Sequence, residues 1–417
     1  MKSILNNRKV LILIFITAFV VRVWRVDNPP RSVFDERAYI THALYYAHGK
    51  SYFDAHPQLA SMIFAKTLSA ISPLPQLRVV QREEDISDLP YFRMRSINVI
   101  LGSLLPVILY ISTLLLFANP SAALAVSIFA VFDNALVTYS RFILPEMMLL
   151  TAGWGAVTVF LARKFTGQWI LCGILLGAAV SVKESGWGFL LIVILGIWLL
   201  KKSAKTAFIV LATAIGIYLL VWIFFFKRFA GAGDDIFTWV EAAKPYLSYP
   251  ISGKLTDILA YLPRHHQLTY SINLWYTGFT DISLPHEWVF GNQKLEWAES
   301  ITLQGNPAGW KFMAVSLLLF PVLVLNSVRK KMNVEKMWIL IMCWLIGAFL
   351  IMTIPYYFIG RDFFLYHYLP ALPFGYSLTG GLIAWRLKKY RSRNFILVLV
   401  IAVVAGFASI FRKTYGL

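Results

Sequence analysis

A short stretch near the N-terminus carries the residues best suited to proton transfer. Asp35 and Glu36 are adjacent carboxylates, and Asp54 and His56 follow in the same polar stretch. Neighbouring side chains point in different directions, so one carboxylate can face a reacting hydroxyl while the other holds the loop. A carboxylate near apolar surface can also have its pKa raised and act as a base. A solvated loop with chance acids is the alternative, and the position of the pair in the chain bears on the choice.

Composition places this stretch in a membrane protein. The chain has 417 residues, of which 58% are hydrophobic and 14% are charged. Several apolar runs are about twenty residues long, which is typical of membrane helices rather than buried core helices. The net charge of +18 could indicate nucleic-acid binding, but the basic residues cluster in short loops, which favours a topological explanation. Cys172 and Cys343 both lie inside apolar segments and predict neither a disulfide framework nor a metal site.

The apolar segments predict an all-α integral membrane protein with about eleven transmembrane helices. The first segment runs from Val10 to Val26 behind a basic N-terminus and has no small-residue cleavage site, so we interpret it as an uncleaved signal anchor. The other predicted segments are 94–117, 121–139, 143–162, 168–182, 186–200, 206–226, 309–326, 337–355, 367–385 and 395–411. The acidic stretch therefore follows the first membrane helix directly.

Loop charges set the predicted orientation. Dense basic clusters lie on one side of the predicted topology, at Arg163-Lys164, Lys201 to Lys205, Arg329 to Lys331 and Arg386 to Arg393. The positive-inside rule assigns that side, together with the N-terminus, to the cytoplasm. We therefore expect a multi-pass protein of the plasma (inner) membrane, with the Asp35 stretch on the external or periplasmic face and an external C-terminus.

The same topology divides the chain into two membrane modules joined by a long loop. The predicted parts are an N-terminal catalytic module at 1–226 that contains a first external loop at 27–93, a large external loop at 227–309, and a C-terminal four-helix module at 310–417. Amphipathic helices on the membrane are predicted in the first loop from Arg37 to His48 and from Pro57 to Ile71. His265 and His266 have no neighbours at ligand spacing, so we predict a packing or hydrogen-bonding role for them.

A second group of charged residues lies at the predicted external ends of the membrane segments. Its members are Arg141, Glu146, Lys183, Glu184, Arg361 and His367. For any one of them, snorkelling to the interface is an adequate explanation. Together with the first loop they indicate an outward-facing pocket with acids for proton transfer and cations for an anionic headgroup. An enzyme with a lipid-phosphate donor needs that combination, because cations stabilise the phosphate as negative charge builds on it.

Five segments in chain order carry a resemblance to a known family. They are Phe34-Asp35-Glu36 with Phe53-Asp54-Ala55-His56-Pro57, Ser140 to Glu146, Gly177 to Lys183, Gly305-Asn306-Pro307 and Tyr366 to Ala371. Each is weak alone, but together they resemble the protein O-mannosyltransferases, which are C-type glycosyltransferases that use polyprenyl- or dolichyl-phosphate-mannose. Gln58 stands where the family usually has a second proline, and Glu146 stands where it has an aspartate. The resemblance is to a divergent, prokaryote-like member without the large soluble domain of the eukaryotic enzymes.

The resemblance implies a C-type glycosyltransferase fold. It also implies transfer of a sugar, with mannose the first candidate, from a polyprenyl-phosphate donor to Ser or Thr hydroxyls of translocated proteins. The anomeric configuration of the sugar is inverted in this reaction. In the implied site, Asp35 is the general base and Glu36 orients the loop. Asp54 and His56 shape the sugar and acceptor site. The leaving phosphate is stabilised by Arg141 and Lys183, with Arg361 or His367. Glu146 contacts the sugar or holds Arg141 in place. No metal and no cofactor is expected beyond the lipid-linked substrate.

Other functions stay open at this point. Sister enzymes that move aminoarabinose or other sugars onto envelope lipids share an Asp-Glu-x-x-Tyr start, which Asp35 to Tyr39 match, so a lipid or glycan acceptor is the second enzymatic hypothesis. A transporter or flippase is disfavoured, because the charges lie at the external edge and no paired repeat is evident. A non-catalytic scaffold would leave the matched charges unexplained. The expected partners are the sugar donor, a Ser/Thr-bearing protein, the lipid bilayer and, as a candidate, the secretion translocon, with no nucleic acid.

Overall fold

The computed structural model describes most of the chain. The described ranges are 8–50, 52–70, 72–162, 165–229, 254–275, 277–278, 282–291, 293–298, 300–329, 336–390 and 393–417. Outside them lie residues 230–253 of the predicted long loop and several of the basic loop residues, namely Arg163, Lys164, Lys330, Lys331 and Arg391. The described residues are mostly helical and contain one two-stranded antiparallel hairpin.

Apolar runs in the first half of the chain form helices close to the predicted segments. They are α1 (Arg8–Val23), α2 (Glu36–Ala47), α3 (Leu59–Leu68), α4 (Tyr91–Phe117), α5 (Pro120–Val131), α6 (Asn134–Tyr139), α7 (Glu146–Leu161), α8 (Gln168–Val182), α9 (Gly186–Gly196) and α10 (Ala204–Phe229). The predicted single segment 121–139 is wrong in one respect, because it is two helices. Asp133 begins the second of them, since its Oδ1 accepts a hydrogen bond from the Leu136 amide at 2.8 Å.

The second half of the chain adds further helices around a small hairpin. They are α11 (Leu255–Trp275), α12 (Pro285–Trp288), β1 (Lys294–Ala298), β2 (Ile301–Gln304), α13 (Pro307–Arg329), α14 (Lys336–Thr353), α15 (Leu372–Tyr390), α16 (Arg393–Ser409) and α17 (Phe411–Tyr415). Leu295 pairs with Leu303 in the antiparallel hairpin, and both side chains are buried. The hairpin and α11 lie in the part of the sequence predicted as a long loop, so the described part of that loop is folded.

Four helices among the described residues are long and apolar enough to cross a membrane. They are Tyr91–Phe117, Ala204–Arg228, Pro307–Leu325 and Lys336–Tyr357. Shorter apolar helices of 10–17 residues are also present, among them Glu146–Leu161 and Gln168–Val182. The chain is therefore an integral membrane protein, and the predicted number of eleven spans stays a prediction.

The two helices predicted in the first loop are present, but they pack into the protein. Helix α2 has 12 residues, eight of which are buried, and it packs against α3. Thr41 of α2 also accepts a hydrogen bond from the Val80 amide at 3.0 Å, which ties the returning loop to the helix. The first loop is thus a folded layer rather than a pair of surface helices.

A buried polar cluster joins the two halves of the chain. The Asp133 carboxylate accepts hydrogen bonds from the Tyr376 hydroxyl at 2.6 Å and from the Trp310 indole at 2.7 Å. The Asn306 amide group donates to the Phe132 carbonyl at 2.7 Å, so the Gly-Asn-Pro segment is held against the break between α5 and α6. Since buried polar groups need partners, this network fixes one register between the halves.

Candidate active site

Asp35 stands at the start of α2, where the chain makes a tight change of direction. Phe34 adopts the left-handed φ of 50°, and its ring stacks on Trp297 of the hairpin with a centroid distance of 5.4 Å. Asp35 is partly buried, and its side chain makes no capping hydrogen bond to α2. The carboxylate is therefore not used to cap the helix.

Burial raises the pKa of the Asp35 carboxyl from 3.8 to about 6. The positive charge of Lys183 opposes that shift, and the negative charge of Glu146 adds to it. Arg37 and Arg361 oppose it less strongly. A carboxylate with a pKa near the working pH is well matched to accept a proton, because it is ionised and still basic.

Glu36 is fully buried and occupied by structural hydrogen bonds. The Arg95 guanidinium donates to both of its oxygens, at 2.9 and 2.8 Å. The backbone amides of Val33 and Ile143 donate to it at 2.9 and 2.8 Å. Glu36 therefore links the Asp35 turn to α4 and to the turn before α7, which is the arrangement that an orienting role requires.

Asp54 joins two histidines in the first loop. Its Oδ2 lies 3.1 Å from Nδ1 of His42, and its Oδ1 accepts a hydrogen bond from the His56 amide at 2.9 Å. Burial acts to raise the pKa of Asp54, but His42 and the His56 contacts outweigh it and lower the pKa. Burial and the nearby Lys183 lower the pKa of His56 to about 3, so its imidazole is neutral.

Lys183 lies where two helix ends meet. It directly follows α8, and its Nζ is 2.5 Å from Oε1 of Glu146, the first residue of α7. The same Nζ lies 5.1 Å from the centre of the Tyr366 ring. Glu146 is thus paired with Lys183, and its second oxygen, Oε2, is buried and accepts no hydrogen bond from the described residues.

A cavity of about 390 Å³ opens beside these residues. Its polar lining consists of His56, Lys183, Glu184, Ser185, Thr269, Arg361 and His367. Its apolar wall comes from α9, through Trp187, Gly188 and Leu191, from the end of α14, through Ile351 and Met352, and from Pro355 just after α14. The cavity therefore has a cationic and polar end next to an apolar channel between two helices.

His367 is buried at the polar end of the cavity. Its Nδ1 lies 3.0 Å from the Phe364 carbonyl oxygen, and its ring stacks on Tyr366 at 4.2 Å. The side chain is therefore a hydrogen-bonding group of the wall.

Arg141 is not brought to the cavity. Its guanidinium is buried and donates to the Thr414 carbonyl at 2.7 Å and to the Arg25 carbonyl at 2.8 Å. The Tyr415 ring covers it at 4.6 Å. Arg141 thus ties the turn before α7 to the ends of α1 and of the chain, while the other predicted residues gather around Asp35 and the cavity.

Several residues of the site were not predicted from the sequence. Arg95 holds Glu36. Its position inside the predicted membrane segment 94–117 could have indicated this role, because a charged side chain in such a segment needs a partner. Glu184 was expected among the external charges, but no role was predicted for it, and the structure places it in the lining of the cavity. Trp297 lies in a predicted loop, and no sequence pattern indicates that it stacks on Phe34. No group of three metal-ligating side chains occurs among the residues that the structure describes.

Comparison with known proteins identifies the family. A family model described as dolichyl-phosphate-mannose-protein mannosyltransferase matches residues 12–232, which is more than half of the chain. The chain belongs to this family. A second model, for the C-terminal four-helix region of protein-O-mannosyltransferase, matches residues 266–417. The resemblance inferred from the five segments is thereby confirmed.

Two curated relatives of this mannosyltransferase-family chain come from Schizosaccharomyces pombe and Drosophila melanogaster. The dolichyl-phosphate-mannose–protein mannosyltransferase 1 of Schizosaccharomyces pombe is 27% identical over 292 residues, which cover 66% of this chain and 31% of the relative. Protein O-mannosyltransferase 1 of Drosophila melanogaster is 33% identical over 186 residues, 42% of this chain and 21% of the relative. The chain thus spans about a third or less of the length of these relatives.

Solved structures show the fold. The S. cerevisiae protein O-mannosyltransferase Pmt1-Pmt2 complex bound to the sugar donor matches with a TM-score of 0.82 at 16% identity, over 99% of this chain and 90% of that chain. ArnT from Cupriavidus metallidurans bound to undecaprenyl phosphate matches with a TM-score of 0.55 at 14% identity, over 93% of this chain and 62% of that chain. The expected C-type glycosyltransferase fold is confirmed at this level.

Proposed function

We propose that this chain is a membrane glycosyltransferase that moves a mannosyl group from a polyprenyl-phosphate donor to a Ser or Thr hydroxyl of a translocated protein. The observation that carries the proposal is the Asp35 carboxyl, whose raised pKa of about 6 suits a base. The cations that act on that pKa, Lys183 and Arg361, line the neighbouring cavity. Membership of the mannosyltransferase family supports the donor and the acceptor class.

The cavity offers the two environments that a lipid-linked sugar needs. Lys183 and Arg361 supply positive charge for the phosphate at the polar end. The wall formed by Trp187, Leu191 and Met352 offers apolar surface to the lipid chain, which favours burial away from water. The sugar then lies near the Asp35 stretch, and we assign Glu146, which pairs with Lys183, to the sugar end of the site.

The proposed reaction is a single displacement. The Asp35 carboxylate takes the proton of the acceptor hydroxyl while the hydroxyl oxygen forms a bond to the anomeric carbon. The bond between that carbon and the phosphate oxygen breaks, and its electron pair leaves with polyprenyl phosphate, so the anomeric configuration inverts. Lys183 and Arg361 stabilise the charge that develops on the leaving phosphate. Glu36 keeps the Asp35 turn in register through Arg95.

The proposed orientation follows from loop charge. Basic loop residues, including Lys202 and Arg386, fall on the side opposite the Asp35 stretch in the predicted topology, so that side is assigned to the cytoplasm. The site then faces the exterior of the plasma membrane, where polypeptides emerge from secretion. The secretion translocon is the corresponding candidate partner.

The test uses the purified full chain in detergent with polyprenyl-phosphate-mannose and a Ser/Thr peptide. We expect release of free polyprenyl phosphate and a mass gain of one hexose on the peptide. Lysine and arginine supply the proposed charge stabilisation, so we expect transfer to survive EDTA. Transfer to a glycan or lipid hydroxyl with no peptide product would replace the acceptor by the second enzymatic hypothesis. An absence of donor turnover with every acceptor would overturn the proposal.

A further inference from the structure

Tyr366 is held in one orientation by aromatic neighbours close to the proposed base. It lies in a short 3-10 helix at Leu365–Tyr368, and its side chain is buried. Its ring stacks on the His367 ring at a centroid distance of 4.2 Å. It also meets the ring of Phe34, the residue before Asp35, edge to face at 5.7 Å. These two contacts restrict the plane of the Tyr366 ring.

The ammonium group of Lys183 lies between a carboxylate and this ring. Its Nζ is 2.5 Å from Oε1 of Glu146 and 5.1 Å from the centre of the Tyr366 ring. The Lys183 side chain is mostly buried. A lysine has a flexible four-carbon stem, so a single ion pair leaves the ammonium several positions. The second contact, on the ring, narrows those positions to the space between Glu146 and Tyr366.

The two contacts of Lys183 differ in what they do to its charge. An ammonium has three hydrogen-bond donors, and Glu146 accepts from one of them. A second carboxylate at the position of Tyr366 would give the group a net negative charge and would repel a phosphate. An aromatic ring attracts a cation through its quadrupole and carries no net charge. The ring can therefore fix the ammonium while its other donors remain available to an anion.

We infer that Tyr366 is a positioning residue, which holds the Lys183 ammonium for the leaving phosphate through a cation–π contact. Because the same ring packs on Phe34, the phosphate cation and the turn that carries Asp35 share one support. The inference rests on the proposed function, which assigns the leaving phosphate to Lys183 and Arg361. In this role Tyr366 acts on the reaction through Lys183.

The experiment changes the electrostatics of the ring and leaves its shape nearly the same. In the full chain, Tyr366 is replaced by phenylalanine and by phenylalanine with one, two or three ring fluorines, which weaken the negative ring face. Transfer is measured with polyprenyl-phosphate-mannose and a Ser/Thr peptide. We expect kcat to fall stepwise with fluorination, by about tenfold in total. It should fall more than the donor KM rises, because the negative charge on the phosphate increases as its bond to the sugar breaks.

The pH profile gives a readout that loosened packing alone has no reason to move. Lys183 lowers the pKa of Asp35. An ammonium released from the ring lies farther from Asp35 on average, so the pH below which kcat/KM falls should rise with each fluorine. Glu146, Arg37 and Arg361 also act on Asp35, and they are the same throughout the series. Tyr366→Leu should show the full shift, and Tyr366→Phe should restore most of the activity that Tyr366→Leu loses.

The controls separate the cation–π contact from folding and from the proposed function. Tyr270→Leu, at an exposed tyrosine of α11, should leave kcat unchanged. In Lys183→Gln the fluorine series should have no further effect, because the two residues act as one unit. A series that lowers kcat as much in Lys183→Gln as in the wild type would overturn the inference. So would a flat series, or a loss in Tyr366→Phe equal to that in Tyr366→Leu. A wild-type chain without donor turnover would instead overturn the proposed function.

Discussion

The pH dependence of transfer is the sharpest test of Asp35 as the base. A base must be ionised, so kcat/KM should fall with decreasing pH through the pKa of Asp35, which burial raises to about 6. At pH 5 only about a tenth of the carboxyl groups would be ionised, whereas an ordinary aspartate would still be almost fully ionised. We therefore expect about a tenfold loss of kcat/KM between pH 7 and pH 5.

The fall of kcat/KM with decreasing pH is the acid limb of the pH profile, and two neighbours of Asp35 should shift it in opposite directions. Lys183 lowers the pKa of Asp35, so Lys183→Gln should shift the limb to higher pH in whatever activity remains. Glu146 raises the same pKa, so Glu146→Gln should shift it to lower pH. A mutation that only loosens the fold has no reason to produce shifts of opposite sign.

Asp35→Asn provides the second half of the test. It keeps the size of the side chain but removes the basic site, so transfer should drop by about 100-fold or more. The raised pKa means that ionised Asp35 destabilises the folded state as pH rises from about 4 to about 6. The substituted amide carries no such charge, so the variant's unfolding midpoint at pH 7.5 should equal or exceed that of the wild type. The difference in unfolding midpoint between the variant and the wild type should disappear below pH 4.

The measurement is an initial-rate series from pH 4.5 to 8.5 with a fixed detergent and subsaturating donor. An acid limb near pH 6 that persists in Asp35→Asn would show that another group is the base. A wild-type profile that stays flat down to pH 4.5 would refute the reasoning from burial. Near-normal transfer by Asp35→Asn together with an inactive Glu36→Gln would mean that the roles of the two acids are reversed.

Three further predictions concern the phosphate end of the site, the support of the Asp35 turn and the orientation in the membrane. Lys183→Gln should cost about 2–4 kcal/mol of transition-state stabilisation, whereas Arg141→Gln should lower the unfolding midpoint and leave donor affinity nearly unchanged. Equal losses of donor affinity in both would contradict that contrast. Trp297→Leu should cost about 2–4 kcal/mol of stability and lower kcat more than it raises donor KM, which steady-state kinetics can check. Ser87→Cys in intact cells should react with a membrane-impermeant thiol reagent, and labelling only after lysis would reverse the proposed orientation.

Much of the fold was predictable because membrane helices are long, apolar and bounded by charge. The predicted segment 168–182 is helix α8 to the residue, and 94–117 differs from α4 only at its start. The break at Asp133 was not predicted, because its carboxylate is satisfied by Trp310 and Tyr376, more than a hundred residues away in the sequence. A polar residue inside an apolar run indicates a partner without indicating which partner.

The sequence predicted which candidate residues lie near one another better than it predicted their contacts. Charge at the ends of apolar segments pointed to Lys183 and Glu146, and the structure pairs them. The same pattern could not separate Arg141 from Lys183, since both are cations at comparable turns. Tertiary contacts distinguish the two cations. Arg141 donates to the carbonyls of Arg25 and Thr414, and these two positions become neighbours only in the folded chain.

The position of Arg141 bears on how the Asp35 turn is kept rigid. Its two hydrogen bonds fix the turn before α7, and the amide of Ile143 in that turn donates to Glu36. Glu36 is the residue next to the proposed base, and it also accepts a hydrogen bond from the Val33 amide on the other side of Asp35. A cation that neutralised a phosphate would have to leave those carbonyls, and the turn would lose the contacts that position Ile143. The geometry therefore favours Arg141 as a positioning residue, which acts on the reaction through Glu36 and leaves the phosphate to Lys183 and Arg361.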